Sequence, residues 1–126
     1  MKPLVFEKAQ LTARNFGHEN PRFKQFGIVL GQSQAREMRA QGWNVKKDPE
    51  DRQKEYLVVN VNAHMKFEAV KINSSGYAKE LPLEDIYELD HLDLDSSEVV
   101  VVGEPWWIAG KSGIMAYLKS IVAKEC

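Results

Sequence analysis

Cysteine is almost missing from this 126-residue chain, which holds only Cys126. A single cysteine can form neither an internal disulfide nor a cysteine-rich metal site. Long apolar runs are missing too, and the opening residues, MKPLVFEKAQ, lack the cationic region and apolar block of a signal peptide. We therefore expect a cytoplasmic protein without a membrane segment.

The sequence also lacks the arrangements that carry catalysis. Its three histidines are isolated, with no partner at a metal-ligand spacing, and no serine or cysteine has the setting of a nucleophile. Asp90, Asp93 and Asp95 could gather a divalent cation, but a solvated acidic connection is the simpler interpretation. We expect no enzymatic activity, no metal and no cofactor.

The segment Gly110-Lys111-Ser112 resembles the end of a phosphate-binding loop. Such a loop needs a further glycine five positions before Gly110, and this chain has Pro105 there. Proline removes an amide donor where the loop requires donors, so we reject the nucleotide-binding interpretation. Apolar residues after Ser112 also have helical spacing, which leaves a helix open as an alternative to a strand.

Charge is divided unevenly along the chain. Residues 1–47 carry nine Lys or Arg against three Glu, whereas residues 80–104 carry nine acids and no Lys or Arg. A basic face for a polyanion, with an acidic region elsewhere, would produce this pattern. The alternative is that opposite charges simply interleave on folding. We predict that residues 80–98 of this acidic segment lie away from any nucleic-acid groove and serve solubility or partner recruitment.

Apolar patterns and turn residues indicate a mostly β chain. Val99–Val102 is typical of a central strand, which Gly103 and Pro105 should end, followed by a wide loop with Trp106 and Trp107. The other expected elements follow the same local signals. They are a long strand over 4–15 in a hairpin with 23–30, a helix over 32–41 closed by Gly42, a strand over 56–61 in a hairpin with 67–72, a short helix over 83–89, and a last strand over 114–122.

These elements predict one antiparallel all-β domain spanning residues 1–126, with one or two short helices. A small closed barrel of the oligonucleotide-binding type is the leading architecture, and a β-sandwich or an open sheet is the alternative. The first hairpin interleaves cations with phenylalanines, which suits phosphate contact together with base stacking. Phe16 and Phe23 are the rings that we expect to be exposed, although half of the phenylalanines should enter the core.

Several short motifs occur together in an order that resembles a known family. They are Arg14-Asn15-Phe16-Gly17, Gln41-Gly42-Trp43-Asn44-Val45-Lys46, the strand YLVVNV, Glu88-Leu89-Asp90, Pro105-Trp106, and Ser112-Gly113-Ile114 followed by Ala116-Tyr117-Leu118. The chain resembles the phage-encoded single-stranded DNA-binding proteins with an oligonucleotide-binding fold. The resemblance implies a non-enzymatic protein of the host bacterial cytoplasm that coats single strands during replication or recombination, with proteins of those processes as further partners.

The hairpin, the tryptophan loop and the matching motifs together predict the nucleic-acid-binding residues. These are Arg14, Phe16, Arg22, Phe23, Lys24, Trp43, Lys46, Trp106, Trp107, Lys111, Tyr117 and Lys119. The alternative function is a protein-interaction module anchored by Trp106 and Trp107, because tryptophan is enriched at binding hot spots.

Overall fold

In the computed structural model, which describes residues 2–20 and 23–126, nine strands belong to one sheet. The strands are β1 (Leu4–Ala9), β2 (Leu11–Asn15), β3 (Gln25–Leu30), β4 (Val45–Lys47), β5 (Glu55–Asn60), β6 (Glu68–Ile72), β7 (Ala78–Glu80), β8 (Leu94–Ile108) and β9 (Lys111–Glu125). The helix α1 (Gln32–Ala40) and a 3₁₀ helix (Leu83–Asp90) lie where short helices were expected. The all-β prediction is confirmed.

The sheet curls, and the strands at its two ends are consecutive in the chain. Its main path runs β1-β8-β9-β5-β3-β2, so β1 and β2 lie at opposite ends. Only Gln10 separates these two strands in sequence, and its carbonyl accepts a hydrogen bond from the Val29 amide at 2.9 Å. The expected single first strand is therefore two strands with different partners. No ladder joins β1 to β2 in the described residues, so the barrel is a curled sheet that is not closed by hydrogen bonds.

The pairing of β6 differs from the prediction. Residues 67–72 were expected to form a hairpin with β5, but β6 pairs in parallel with β9 and antiparallel with β7. The edge of β9 accommodates both β5, at Ala116 and Tyr117, and β6, from Ser120 to Lys124. Strand patterns predict that a segment is extended, but they do not predict which edge it joins. The sheet is consequently mixed, and the expectation of purely antiparallel pairing is wrong.

Strands β8 and β9 form a long ribbon of two 15-residue strands. Ala109 and Gly110 connect them, with φ of 52° and 80°, as a two-residue hairpin turn requires. The strand therefore does not end at Gly103 or Pro105, and the predicted wide loop and the alternative helix are both wrong. Pro105 is tolerated because β1 pairs with β8 only as far as Val101, which leaves Pro105 on an edge.

The inner face of the curled sheet holds the apolar core. Phe16, which we expected to be exposed, is 0% exposed and stacks on Phe26 with ring centroids 4.6 Å apart. The 3₁₀ helix contributes Ile86 and Leu89 to the same core, and its closeness to Phe16 explains why this ring is covered. No helix in residues 2–20 or 23–126 has the length and apolar character needed to cross a membrane.

Candidate nucleic-acid interface

The outer face of the sheet is defined by alternation along β9. Ala116 and Leu118 are buried in the core, so Met115 and Tyr117 project to the opposite, outer side. Tyr117 lies beside Asn60 of β5 in parallel register and opposite Val102 of β8. Partners in register share a face, which places side chains from three adjacent strands on one surface.

Trp106 joins this outer face through the β8–β9 ribbon. It pairs with Gly113, and a Cβ atom added to Gly113 would lie only 2.7 Å from Cζ2 of the indole. The indole therefore lies directly against the glycine backbone, a contact that any other residue would obstruct. Trp107 points to the opposite side of the ribbon and is 73% exposed, compared with 37% for Trp106. Because they project to opposite sides of the ribbon, the two tryptophans cannot both contact a ligand that binds to one side.

Tyr56 is a third aromatic side chain on the outer face. A Cβ atom at Gly27 would lie 2.5 Å from Cδ2 of Tyr56, so the phenol ring covers this glycine of β3. Lys46 of β4 is paired in register with Tyr56, which sets a cation next to the ring. Aromatic rings with neighbouring cations are the side chains that bind bases and phosphates of a single strand.

Lysines and acids both lie on or beside this surface. Lys111 pairs with Ile108 at the ribbon tip, on the same side as Trp106. Lys119 lies at a bulge where the register of β8 and β9 shifts, and it lines an open depression of about 670 Å³ together with Lys66 and the acid Glu68. Glu104, opposite Met115, is an acid on the same face. We call this surface the outer aromatic face. It is defined by Tyr56, Trp106 and Tyr117 together with Lys46, Lys111 and Lys119.

Four of the predicted site residues serve the fold. The Arg14 guanidinium donates to the carbonyls of Leu89 and Leu92, at 2.9 and 2.6 Å, and thereby binds the end of the 3₁₀ helix. The Lys24 ammonium donates to the Phe16 carbonyl at 3.0 Å. Because the Phe16 ring is enclosed in the core, its predicted stacking on a base is wrong for this conformation.

Trp43 is likewise buried, at 6% exposure, and its Nε1 donates to Oε1 of Gln41 at 3.2 Å. Its expected contact with nucleic acid is therefore not available, because the ring packs in the core. Phe23 is exposed, as predicted, and meets His18 edge-on with centroids 5.2 Å apart. Arg22 lies outside the described residues.

The structure thus brings together five of the predicted residues on or beside the outer aromatic face, namely Lys46, Trp106, Lys111, Tyr117 and Lys119. It adds Tyr56, Asn60 and Met115, which sequence reasoning missed. Alternation in YLVVNV already placed Tyr56 and Asn60 on one side of a strand. That pattern could not indicate which side faces outward, because both sides carry apolar residues.

Residues of the acidic segment make contacts of their own. Lys71 and Lys79 donate to Glu88 at 2.9 and 3.3 Å, and the Lys71 hydrogen bond lowers the pKa of the Glu88 carboxyl and raises the pKa of Lys71. Asp90 accepts the amides of Phe16 and Gly17 at 2.7 and 2.8 Å. Within the described residues, no group of three His, Cys, Asp or Glu side chains is arranged to hold a metal ion.

The start of β8 carries further acids at a distance from the tryptophans. Asp95 lies one residue after the beginning of the strand, and Trp106 lies two residues before its end. Eleven residues of extended strand span about 36 Å, so Asp95 and Trp106 are near opposite ends of the ribbon. Glu104 is the exception, because it lies on the outer aromatic face itself.

Comparison with known proteins gives a family match over almost the whole chain. Residues 1–124 match a family model described as "Putative phage ssDNA-binding domain". No curated protein sequence matches the chain.

Solved structures include proteins of similar fold. The single-stranded DNA-binding protein from bacteriophage Enc34 superposes with a TM-score of 0.62 at 8% identity, covering 98% of this chain and 81% of that one. Its C-terminally truncated form gives 0.61 at 8% identity, covering 98% and 86%. The single-stranded DNA-binding protein gp2.5 of bacteriophage T7 gives 0.48 at 13% identity, covering 99% and 92%. At such low identity, the likeness to the Enc34 protein shows a shared fold.

Proposed function

The chain belongs to the phage ssDNA-binding domain family, and from this membership we propose that it coats single-stranded DNA along the outer aromatic face, with little sequence preference and without a catalytic step. The observation that carries the proposal is the common orientation of Tyr56, Trp106 and Tyr117 on strands of one surface. Every base has a π-face, so stacking on these rings tolerates any sequence.

The charges on the outer aromatic face support the binding of a DNA strand across it. Lys46, Lys111 and Lys119 are exposed and flank the three rings, where each can neutralise a phosphate. Phosphate neutralisation releases counterions, so binding should weaken steeply as salt rises. The acids at the start of β8 lie at the other end of the ribbon, where they do not oppose the phosphates.

The biological setting that we propose is phage replication or recombination in the host cytoplasm, with the chain acting as a single domain. Proteins of those processes are the proposed further partners. The acidic segment offers a surface for them, because the Asp93 and Asp95 side chains are exposed and form no hydrogen bond or ion pair within the described residues. Asp90 is excluded from this role, because it binds two backbone amides.

Fluorescence anisotropy with labelled oligothymidine tests the DNA-binding surface. We expect Tyr56→Ala and Tyr117→Ala each to weaken binding about fivefold or more, since one stacked base contributes about 1–3 kcal/mol. Tyr77→Ala is the matched control, because this tyrosine is 72% exposed in the turn between β6 and β7. Single strands should bind far more tightly than duplex of the same length. Folded Tyr56 and Tyr117 variants with unchanged affinity would contradict the proposed surface.

Trp107 supports a second function as the anchor of a protein contact. Its side chain is 73% exposed and faces away from the outer aromatic face. A large exposed indole is typical of a binding hot spot. Trp107→Ala should then keep oligothymidine affinity while abolishing binding to the protein partner. Loss of DNA affinity in this variant would instead assign Trp107 to the DNA surface.

A further inference from the structure

A pocket of about 610 Å³ opens beside Tyr117, between the end of β5, the β5–β6 loop and β9. Its lining includes Asn20, Asn60, Asn62, His64, Met115 and Tyr117. The volume lies within the range of small-molecule sites, which run from about 300 to 1,000 Å³. The pocket is therefore large enough to hold one nucleobase with its sugar.

The chemistry of the lining favours a base and disfavours a phosphate. The described lining residues include no lysine, arginine or carboxylate, but they include three side-chain amides. A phosphate would find no lysine or arginine among the described lining residues, whereas a neutral heterocycle finds amide groups for its polar edge. The Tyr117 ring and the Met115 thioether supply apolar surface against which the plane of a base can lie.

Two of the amides are oriented by the backbone. Nδ2 of Asn60 donates to the Ala116 carbonyl at 3.3 Å, which leaves Oδ1 to accept a hydrogen bond. Oδ1 of Asn62 accepts the His64 amide at 2.9 Å, which leaves Nδ2 to donate. The pocket thus presents one acceptor and one donor whose side chains are already held in place, so little rotamer entropy is lost on binding.

We propose that this pocket takes one base of the bound single strand, stacked on Tyr117 and read on its Watson–Crick edge by Asn60 and Asn62. The inference rests on the proposed function, since Tyr117 is shared with the outer aromatic face. A thymine suits the pair of amides: its N3–H donates to Oδ1 of Asn60, and a ring carbonyl accepts from Nδ2 of Asn62. A base that is read on this edge cannot be paired, which adds a steric reason for rejecting duplex.

The test compares oligothymidine with an oligonucleotide of equal length built from N3-methylthymidine. Methylation removes the N3–H and blocks the Watson–Crick edge, but it keeps the phosphates and the stacking surface. We expect the wild-type protein to bind the methylated strand about fivefold more weakly, as loss of one or two net hydrogen bonds implies. Asn60→Ala, which lacks the acceptor for the N3–H, should bind both strands with nearly equal affinity. Asn62→Ala should bind oligothymidine more weakly than the wild-type protein does and should retain a preference for it over the methylated strand. Gln34→Ala, an exposed amide on α1, is the control and should keep the wild-type ratio.

The outcomes separate this inference from the proposed function. If the wild-type protein binds neither strand, the proposed function fails. If it binds both strands equally, DNA binding stands and the base pocket is overturned, and this comparison needs no variant to fold. If the full preference persists in Asn60→Ala, the edge is read elsewhere and the pocket is again overturned. A preference that disappears in Asn60→Ala but stays at the wild-type ratio in Gln34→Ala supports the pocket.

Discussion

Removing the Trp106 indole is the most direct perturbation of the outer aromatic face. One side of the ring rests on Gly113, and the side chain is 37% exposed, so a second face is available to a base. Stacking of a base on such a ring contributes about 1–3 kcal/mol, and each 1.4 kcal/mol is about tenfold in affinity. We therefore expect Trp106→Ala to weaken oligothymidine binding roughly tenfold.

A second variant tests whether the position of the indole matters. In Gly113→Ala the new Cβ atom would lie 2.7 to 2.8 Å from Cζ2, Cε2 and Nε1 of Trp106, closer than non-bonded atoms approach. Relieving these contacts requires the ring to shift by about 1 Å, since carbon atoms pack at about 3.5–4.0 Å. Gly113→Ala should then lower affinity by less than Trp106→Ala does, and the double variant should match Trp106→Ala alone.

Intrinsic fluorescence during titration with oligothymidine measures these effects, and it also reports on folding. Trp43 is buried, so its emission should remain unquenched in every folded variant. Trp106 accounts for the quenching if it stacks on a base, and its removal should abolish most of the signal change. A folded Trp106→Ala protein with wild-type affinity would refute the reasoning. Fully additive losses in the double variant would refute the positioning role of Gly113.

Three further predictions concern charged side chains. Lys111→Ala and Lys119→Ala should each lower the slope of log affinity against log salt by about one. Lys124→Ala, at the far end of β9, is the control and should leave the slope unchanged. Equal slopes in all three variants would mean that the DNA strand does not contact Lys111 or Lys119. Glu104→Gln should raise affinity at low salt but not at high salt, because it removes repulsion that salt otherwise screens. Arg14→Ala should lower the free energy of unfolding in urea by about 1.5–3 kcal/mol, the contribution of hydrogen bonds to a charged group. Its DNA affinity should stay constant while it is folded, and a selective loss of affinity would return Arg14 to the binding surface.

Part of the candidate site could be predicted from residue type and motif. Trp106, Lys111 and Tyr117 lie on the outer aromatic face, as a mixture of aromatic and basic residues in one segment indicates. Phe16 and Trp43 have the same composition signal but lie in the core. The sequence alone cannot distinguish these cases, because an aromatic side chain is stabilised by burial in the core and equally by stacking on a base.

The local features of this protein follow from short stretches of its sequence. Period-two apolar patterns produce the β3 and β5 strands, and helix formers ending at Gly42, which has φ of 99°, produce α1. Pro105 in the glycine position was enough to reject the phosphate loop. These features depend on neighbours in the chain, which the sequence contains. The pairing of β6 with β9, the common face of Tyr56 and Tyr117, and the opposite orientation of Trp107 follow from the three-dimensional fold. Those outcomes depend on which strand edges and sheet faces meet in space. Alternative strand pairings have nearly equal local energies, and only packing of the core selects one of them.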